Sequence, residues 1–227
     1  MRILLVVVLL VSCVQAAVAC EGQKGKVIFE DTFADDGGGW IFSNDVLFFK
    51  APGAEYRLRP TANALASMTS DQTFYAGEGD YCLEIAFPQD QPGTRFAAGL
   101  TFLGSADDKA YFFALMYDDG DMGLFRSSGQ GPPDVIWNVN QKANAKLSPG
   151  QFNAIEAIVK DNVITVLLNG IPVKAVRAQI PSGNLKFGIR VERVTPNEAG
   201  GGAAFPVKSF KVTEARKLAS DTKTSPR

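Results

Sequence analysis

Residues 150–178 read GQFNAIEAIVKDNVITVLLNGIPVKAVRA, and three short apolar runs separated by two polar dipeptides decide the class of fold. The runs are Phe152 to Lys160, Val163 to Leu168 and Ile171 to Ala178, and the dipeptides are Asp161-Asn162 and Asn169-Gly170. Asn-Gly is the strongest short hairpin signal, because both residues of such a two-residue turn must accept positive φ, which Asn and Gly do at little cost. The segment predicts three consecutive antiparallel strands.

The same grammar extends outward in both directions. Toward the C-terminus, Asn184 to Arg193 sets Leu185, Phe187, Ile189 and Val191 on one face and Lys186, Gly188, Arg190 and Glu192 on the other, the two-residue period of a strand. Val207 to Thr213 supplies a last strand, expected beside the first, Val27 to Phe33, so that the domain's ends meet. Toward the N-terminus, Asp80 to Phe87 alternates Tyr81, Leu83, Ile85 and Phe87 with Cys82, Glu84 and Ala86, as a half-buried strand does. Arg95 to Leu103 opposes Phe96, Ala98, Leu100 and Phe102 to the small set Ala97, Gly99 and Thr101, a face able to admit a close neighbour. Ala110 to Tyr117 is apolar on both faces and reads as a central strand, turned by Asp119-Gly120 into Gly123 to Ser127. Pro132-Pro133 then separates that strand from Asp134 to Val139. About twelve to fourteen strands with no helical periodicity predict an all-β domain of two stacked antiparallel sheets.

Composition narrows the chemistry. The chain has 227 residues and no histidine, so serine or cysteine nucleophiles activated by histidine, histidine zinc sites and an imidazole base are absent from the inventory. With 23 basic and 24 acidic residues there is no positive excess to hold a phosphate backbone, and nucleic acid is set aside as a partner. Arg2, the apolar run Ile3 to Val11 and the small-x-small Ala17-Val18-Ala19 read as a cleaved export signal over residues 1–19, giving a periplasmic or secreted product that starts at Cys20. The apolar run is shorter than the roughly 20 residues a membrane-spanning helix needs, so no transmembrane segment is expected in the mature chain. Residues 20–26 read as a linker, residues 27–214 as the domain and residues 215–227 as a polar, disordered tail. Cys20 and Cys82 remain after cleavage, and two readings stay open: a disulfide in an oxidising compartment, or lipidation of Cys20 after Ala17-Val18-Ala19. Leu10-Val11-Ser12-Cys13 is a second lipobox-like run.

Three segments together resemble the concanavalin A-like lectin/glucanase superfamily: Phe29-Glu30-Asp31-x-Phe33 followed by Gly39-Trp40; Gly99-Leu100-x-Phe102 followed by Tyr111-Phe112 and Leu124-x-Arg126; and Gly150-x-Phe152-Asn153 through Asn169-Gly170. The style is similar to the bacterial 3-keto-disaccharide hydrolase domain family. The resemblance implies a jelly-roll sandwich that binds or cleaves carbohydrate on a concave sheet face. It also implies a structural calcium near the chain ends, for which Asp31 is a candidate ligand. The glucanases' Glu-x-Asp-x-Glu triplet is missing.

Candidate residues follow from these constraints. Glycoside hydrolysis needs paired carboxyl groups, and the strand acids are Glu84, Glu156 and Glu192, each alone on its strand. A sugar platform needs aromatic faces with planar hydrogen-bonding groups, for which Trp137, Tyr111, Tyr117, Arg126, Arg57 and Arg190 qualify. Trp137 stands out because it follows a Gly-Pro-Pro loop in a short polar strand; its alternative is a lid over the core. Tyr111 and Tyr117 read equally as core residues with a hydroxyl at the edge. Asp118 and Asp121 flank a turn with Asp119 and offer oxygen ligands to a metal, or a solvated hairpin tip. Gly37-Gly38-Gly39 and Gly200-Gly201-Gly202 open no helix and read as loops. The expectation is a carbohydrate-binding sandwich without a recognisable catalytic motif, with a glycoside hydrolase and a structural or protein-interaction domain of the envelope as alternatives.

Overall fold

Alternation and turn chemistry carry the chain into strands throughout the computed structural model, which describes residues 20, 23–34, 39–42, 46–50, 56–60, 65–71, 73, 77–89, 94–107, 109–139, 147, 150–194 and 203–215. In chain order these are β1 (Val27–Asp31), β2 (Trp40–Phe42), β3 (Val46–Lys50), β4 (Tyr56–Pro60), β5 (Leu65–Ser70), β6 (Gly79–Ile85), β7 (Phe96–Gly104) and β8 (Tyr111–Tyr117). They continue as β9 (Met122–Ser127), β10 (Asp134–Val139), β11 (Asn153–Lys160), β12 (Val163–Leu168), β13 (Ile171–Arg177), β14 (Lys186–Arg193) and β15 (Phe205–Thr213). Fifteen strands among the described residues exceed the expected twelve to fourteen. Those that alternation leaves unassigned are β2 to β5, whose short runs are broken by Asn44-Asp45, Pro52-Gly53 and Asn63.

Every strand pairing is antiparallel, and the strands form two sheets. The eight-stranded sheet runs β13-β12-β11-β6-β15-β4-β3 with β1 also beside β15, and the seven-stranded sheet runs β10-β9-β8-β7-β14-β5-β2. The turns that decide the fold have the expected backbone: φ is 51° at Asp161 and 59° at Asn162, and 50° at Asn169 and 78° at Gly170. The first and last strands of the domain pair as predicted, with Val27 opposite Thr213 and Asp31 opposite Phe210.

One face of each sheet forms the core between them. Tyr81, Leu83, Ile85, Ile155, Ala157, Val159, Phe210 and Val212 from the eight-stranded sheet meet Phe96, Ala98, Leu100, Phe102, Phe112, Ala114, Phe187, Ile189 and Val191 from the seven-stranded sheet. Aromatic rings dominate one end, where Phe187 stacks on Phe210 at 5.3 Å and Trp40 meets Phe210 edge-on at 5.5 Å. Burying rings in offset or edge-on pairs adds about 0.5–1.5 kcal/mol each beyond the area they remove from water.

The outer face of the eight-stranded sheet departs from expectation. All seven residues of β6 are buried, although alternation predicts a strand wet on one side. The segment read as a linker contributes to this cover: Cys20, 2% exposed, is disulfide-bonded to Cys82 and clusters with Ala154, while the Gln23 amide donates to the Asp80 carbonyl at 2.9 Å and carboxylate at 2.8 Å. Residues 1–19 and 216–227, read as export signal and tail, lie outside the described residues.

Candidate functional site

The outer face of the seven-stranded sheet is built by the same parity that builds the core. With Phe112, Ala114 and Met116 of β8 turned inward, Tyr111, Phe113, Leu115 and Tyr117 must point outward, and they form a second apolar cluster with Ala97 and Phe125. On β7 the outward positions are Ala97, Gly99 and Thr101, and on β14 they are Lys186, Gly188, Arg190 and Glu192. Arg190 sits opposite Gly99, so its side chain crosses β7 without obstruction. Its guanidinium carbon then lies 4.2 Å from the Phe113 ring centroid, and Nη1 donates to the Tyr111 hydroxyl at 3.1 Å. Its Nε donates to Glu192, which fixes the fork from the other side.

The rings beneath form a continuous surface. Phe125 stacks on Phe113 at 4.9 Å with 16° between planes, and Tyr111 meets Phe113 at 5.7 Å. Gly123 makes room for this, since a Cβ there would lie 2.5 Å from the Phe125 ring. Val135, 61% exposed, extends the apolar strip opposite Phe125.

Beside the Tyr111–Arg190 pair lies a recess of about 130 Å³. Three hydroxyl residues line it, Ser67 and Thr69 from β5 and Thr101 from β7, together with Gly104, Tyr111, Lys186 and Arg190. Lys186 sits opposite Gly104 and is itself buried. Because the Tyr111 oxygen accepts from Arg190, its own proton is available as a donor. The wall thus offers hydroxyls, an ammonium, a guanidinium and an aromatic edge, a set suited to a polyhydroxylated ligand.

At the far end of the same face Arg95 lies 4.5 Å over the Tyr117 ring and pairs with Asp119 at 2.8 Å and Asp121 at 2.7 Å. Burial, then the nearby Glu192 charge, raises the Tyr117 phenol above its ordinary pKa. Burial also raises the Asp118 carboxyl.

The structure gathers only part of the sequence-derived set here. Tyr111, Tyr117, Arg190 and Glu192 share this face. Trp137 does not: a bulge between Val135 and Trp137 shifts the register so that Trp137 aligns with the core residue Leu124 and packs against the main core, the lid reading. Arg126 is exposed and reaches over the core residue Phe112 at 5.8 Å. Arg57 lies on β4, and its side chain is outside the described residues. Glu84 and Glu156 lie on the opposite sheet, on neighbouring strands and two register positions apart. There Glu84 accepts from Ser209 at 2.7 Å and Lys208 at 3.3 Å, and Glu156 is fully buried.

The acids considered for a metal have protein partners. Asp31 accepts the Phe33 amide through one oxygen and the Trp40 indole N–H through the other, both at 2.6 Å. Asp121 holds Arg95. No group of three or more acidic, cysteine or histidine ligands converges among the described residues.

Sequence reasoning missed Lys186, Ser67, Thr69, Thr101, Phe113 and Phe125. The signal for the aromatics was present in the two-faced apolarity of β8, which implies a covered outer face. Lys186 gave none, since an outward lysine on an amphipathic strand reads as solvated.

No protein-family model matches the chain, and no curated protein matches it. Solved structures do. A carbohydrate-binding module from Bacillus subtilis is 14% identical, with 78% of this chain and 96% of that one covered at a TM-score of 0.57. A protein of unknown function with a galectin-like fold, also from Bacillus subtilis, is 12% identical over 86% and 99% at 0.64. The catalytic domain of an endo-1,3-beta-glucanase (laminarinase) from Thermotoga petrophila is 11% identical over 86% and 99% at 0.60. These likenesses establish the jelly-roll sandwich of the concanavalin A-like and galectin-like type. Among the described residues no helix is long and apolar enough to cross a membrane.

Proposed function

We propose that the chain is an exported carbohydrate-binding domain that takes its ligand on the outer face of the seven-stranded sheet, with the recess beside Tyr111 and Arg190 as the specific subsite. The observation that carries this reading is the Tyr111–Arg190–Phe113 arrangement, an aromatic surface with a fixed guanidinium next to three hydroxyl residues. Sugars combine an apolar ring face with a rim of hydroxyls, and such a surface complements both. The sandwich likeness to a carbohydrate-binding module supports the same ligand class.

Hydrolysis of 3-keto or related disaccharides is the second reading. It would require two carboxyl groups facing one ligand, about 5 Å apart for retention or 6.5–9.5 Å for inversion. The recess wall carries none, and Glu192, the acid nearest to it on β14, is engaged by Arg190. Binding without turnover is therefore the reading the geometry favours.

Export is supported by the Cys20–Cys82 bridge, since disulfides persist in oxidising compartments. A sulfur so bonded cannot also carry a lipid thioether, so we place the mature chain free in the periplasm or outside the cell.

The test is a glycan array with wild type and Tyr111→Ala. Wild type should bind a defined subset, and the variant should lose about tenfold or more in affinity, the scale of a lost aromatic contact with its hydrogen bond. Absence of binding to every glycan, or equal binding by the variant, would overturn the site.

A further inference from the structure

The recess beside Tyr111 owes its floor to one irregularity in β7. Lys186 pairs with Gly104 and Gly188 with Thr101, so β7 sets two residues, Phe102 and Leu103, against the single Phe187. All three lie in the main core. A bulge that turns two successive side chains inward leaves Thr101 and Gly104 as consecutive outward positions, farther apart than the two-residue step of a regular strand. The glycine is not a backbone requirement. Leu103 adopts φ 53°, the left-handed conformation that favours glycine, whereas Gly104 lies outside that region. A Cβ at 104 would come no nearer than 3.2 Å to the Lys186 carbonyl oxygen and 3.5 Å to the Lys186 Cβ, an approach that a shift of a few tenths of an ångström relieves. The backbone at 104 therefore accepts a side chain, and what its absence provides is space.

That space is enclosed on four sides. Ser67 and Thr69 of β5 bound one flank and Tyr111 of β8 the other, while Lys186 and Arg190 of β14 stand at the two ends. Between those ends Gly188, opposite Thr69 and Thr101, adds no side chain. Both cations are already engaged within the protein, Arg190 by Glu192 and Tyr111, so they serve as fixed end walls. An oligosaccharide lying along a groove needs an exit on either side of each unit it places there, and walls on all four sides deny it one. The volume of about 130 Å³ is close to the roughly 150 Å³ of a cavity that holds one benzene-sized ring.

We infer that the recess is a socket for one pendant sugar unit, a chain end or a single-unit branch joined to the rest of the glycan by one linkage, and that the missing side chain at Gly104 sets the size of that unit. This rests on the carbohydrate-binding reading above and specifies which part of a glycan the site reads. The pendant unit enters from above the sheet, and the remainder of the glycan stays outside the walls. Shape supplies the selectivity, since one methylene in a close-fitting pocket is worth about 10–200-fold in discrimination.

A glycan array probed with the full chain, followed by inhibition with methyl glycosides of the common hexoses, pentoses and N-acetylhexosamines, tests this. The glycans bound by wild type should share one terminal or branch unit, and the methyl glycoside of that unit should compete. Trimming the unit with an exo-acting glycosidase should cost about tenfold or more in affinity, whereas lengthening the chain behind it by one unit should change affinity by less than about threefold. Binding of linear glycans assigns the socket to chain ends, and binding confined to branched ones assigns it to single-unit branches. Gly104→Ala should bind the same glycans about tenfold or more weakly while its melting temperature stays within about 4 °C of wild type. Undiminished binding by that variant would overturn the fit at Gly104, and if it folds poorly the wild-type pattern and the competition decide alone. Wild-type binding that follows an internal sequence, with terminal units varying freely and no methyl glycoside competing, would overturn the socket and leave carbohydrate binding standing. Absence of binding to every glycan would overturn both.

Discussion

At the scale of single residues the outer face shows how position sets chemistry. Arg190 and Arg126 are the same side chain on strands of one sheet, yet one is held over Phe113 by Tyr111 and Glu192 while the other is exposed and reaches over the core ring of Phe112. Asp118 illustrates the electrostatic side. Burial raises its carboxyl above the ordinary value, with Asp119 adding to the shift and Arg95 and a backbone hydrogen bond opposing it. A carboxyl whose folded pKa exceeds its unfolded one binds its proton more tightly when folded. The associated stability is therefore complete below the unfolded pKa near 4 and is lost as pH rises through the folded value. Asp118→Asn removes that loss, so its melting temperature should rise by roughly a degree at pH 7 and stay unchanged at pH 3, the effect being small because solvent screens so exposed a group. An equal shift at both pH values would show that packing, not ionisation, is responsible. Side-chain identity was readable at these positions; partnership was not. Tyr111 and Arg190 are 79 residues apart and meet only because β14 and β8 both flank β7.

At the scale of elements, legibility followed locality. The β11–β12–β13 meander is written in Asp161-Asn162 and Asn169-Gly170, and every one of the four residues has positive φ. Asn169 does more than turn the chain: its Oδ1 accepts the Ala154 amide at 2.9 Å and its Nδ2 donates to the Asn153 Oδ1 at 3.0 Å. Asn153 is buried and its own amide donates to the Gln151 carbonyl at 3.0 Å, so the loop before β11 and the turn after β12 are stitched together. Asn169→Ala loses both side-chain bonds and leaves a Cβ-bearing residue in left-handed backbone. It should cost about 1–3 kcal/mol in urea unfolding, against less than half of that for Asn162→Ala, where only the backbone term applies. Equal losses would mean that the stitching contributes nothing. Bulges lie beyond local reading. The one in β10 reverses the side of Trp137, and no residue type near it announces the shift, so the aromatic that looked most available for a ligand belongs to the core instead.

At the scale of the molecule the two sheets have unequal outer faces, and this division of labour was invisible in the alternation alone. Glu84 and Glu156 share the parity on one sheet that Arg190 and Glu192 have on the other, yet they are buried. The bridge from Cys20 to Cys82 anchors the N-terminal segment over the centre of the eight-stranded sheet, where Gln23 reaches Asp80. It also closes a loop with a sequence separation of 62 that contains β1 to β5, the strands least specified by local sequence. Chain-entropy arguments give a cross-link over such a loop about 4 kcal/mol of stabilisation, through restriction of the unfolded chain. Reduction, or Cys82→Ser with Cys20→Ser, should therefore lower the urea midpoint substantially while ligand affinity, which the proposed site puts on the opposite face, changes by less than about twofold in the fraction that stays folded. Equal stability of oxidised and reduced protein would show that the segment docks without the bridge. Loss of binding in parallel with reduction, at urea concentrations where the chain is still folded, would show that the ligand contacts the N-terminal side and would move the site to the other sheet.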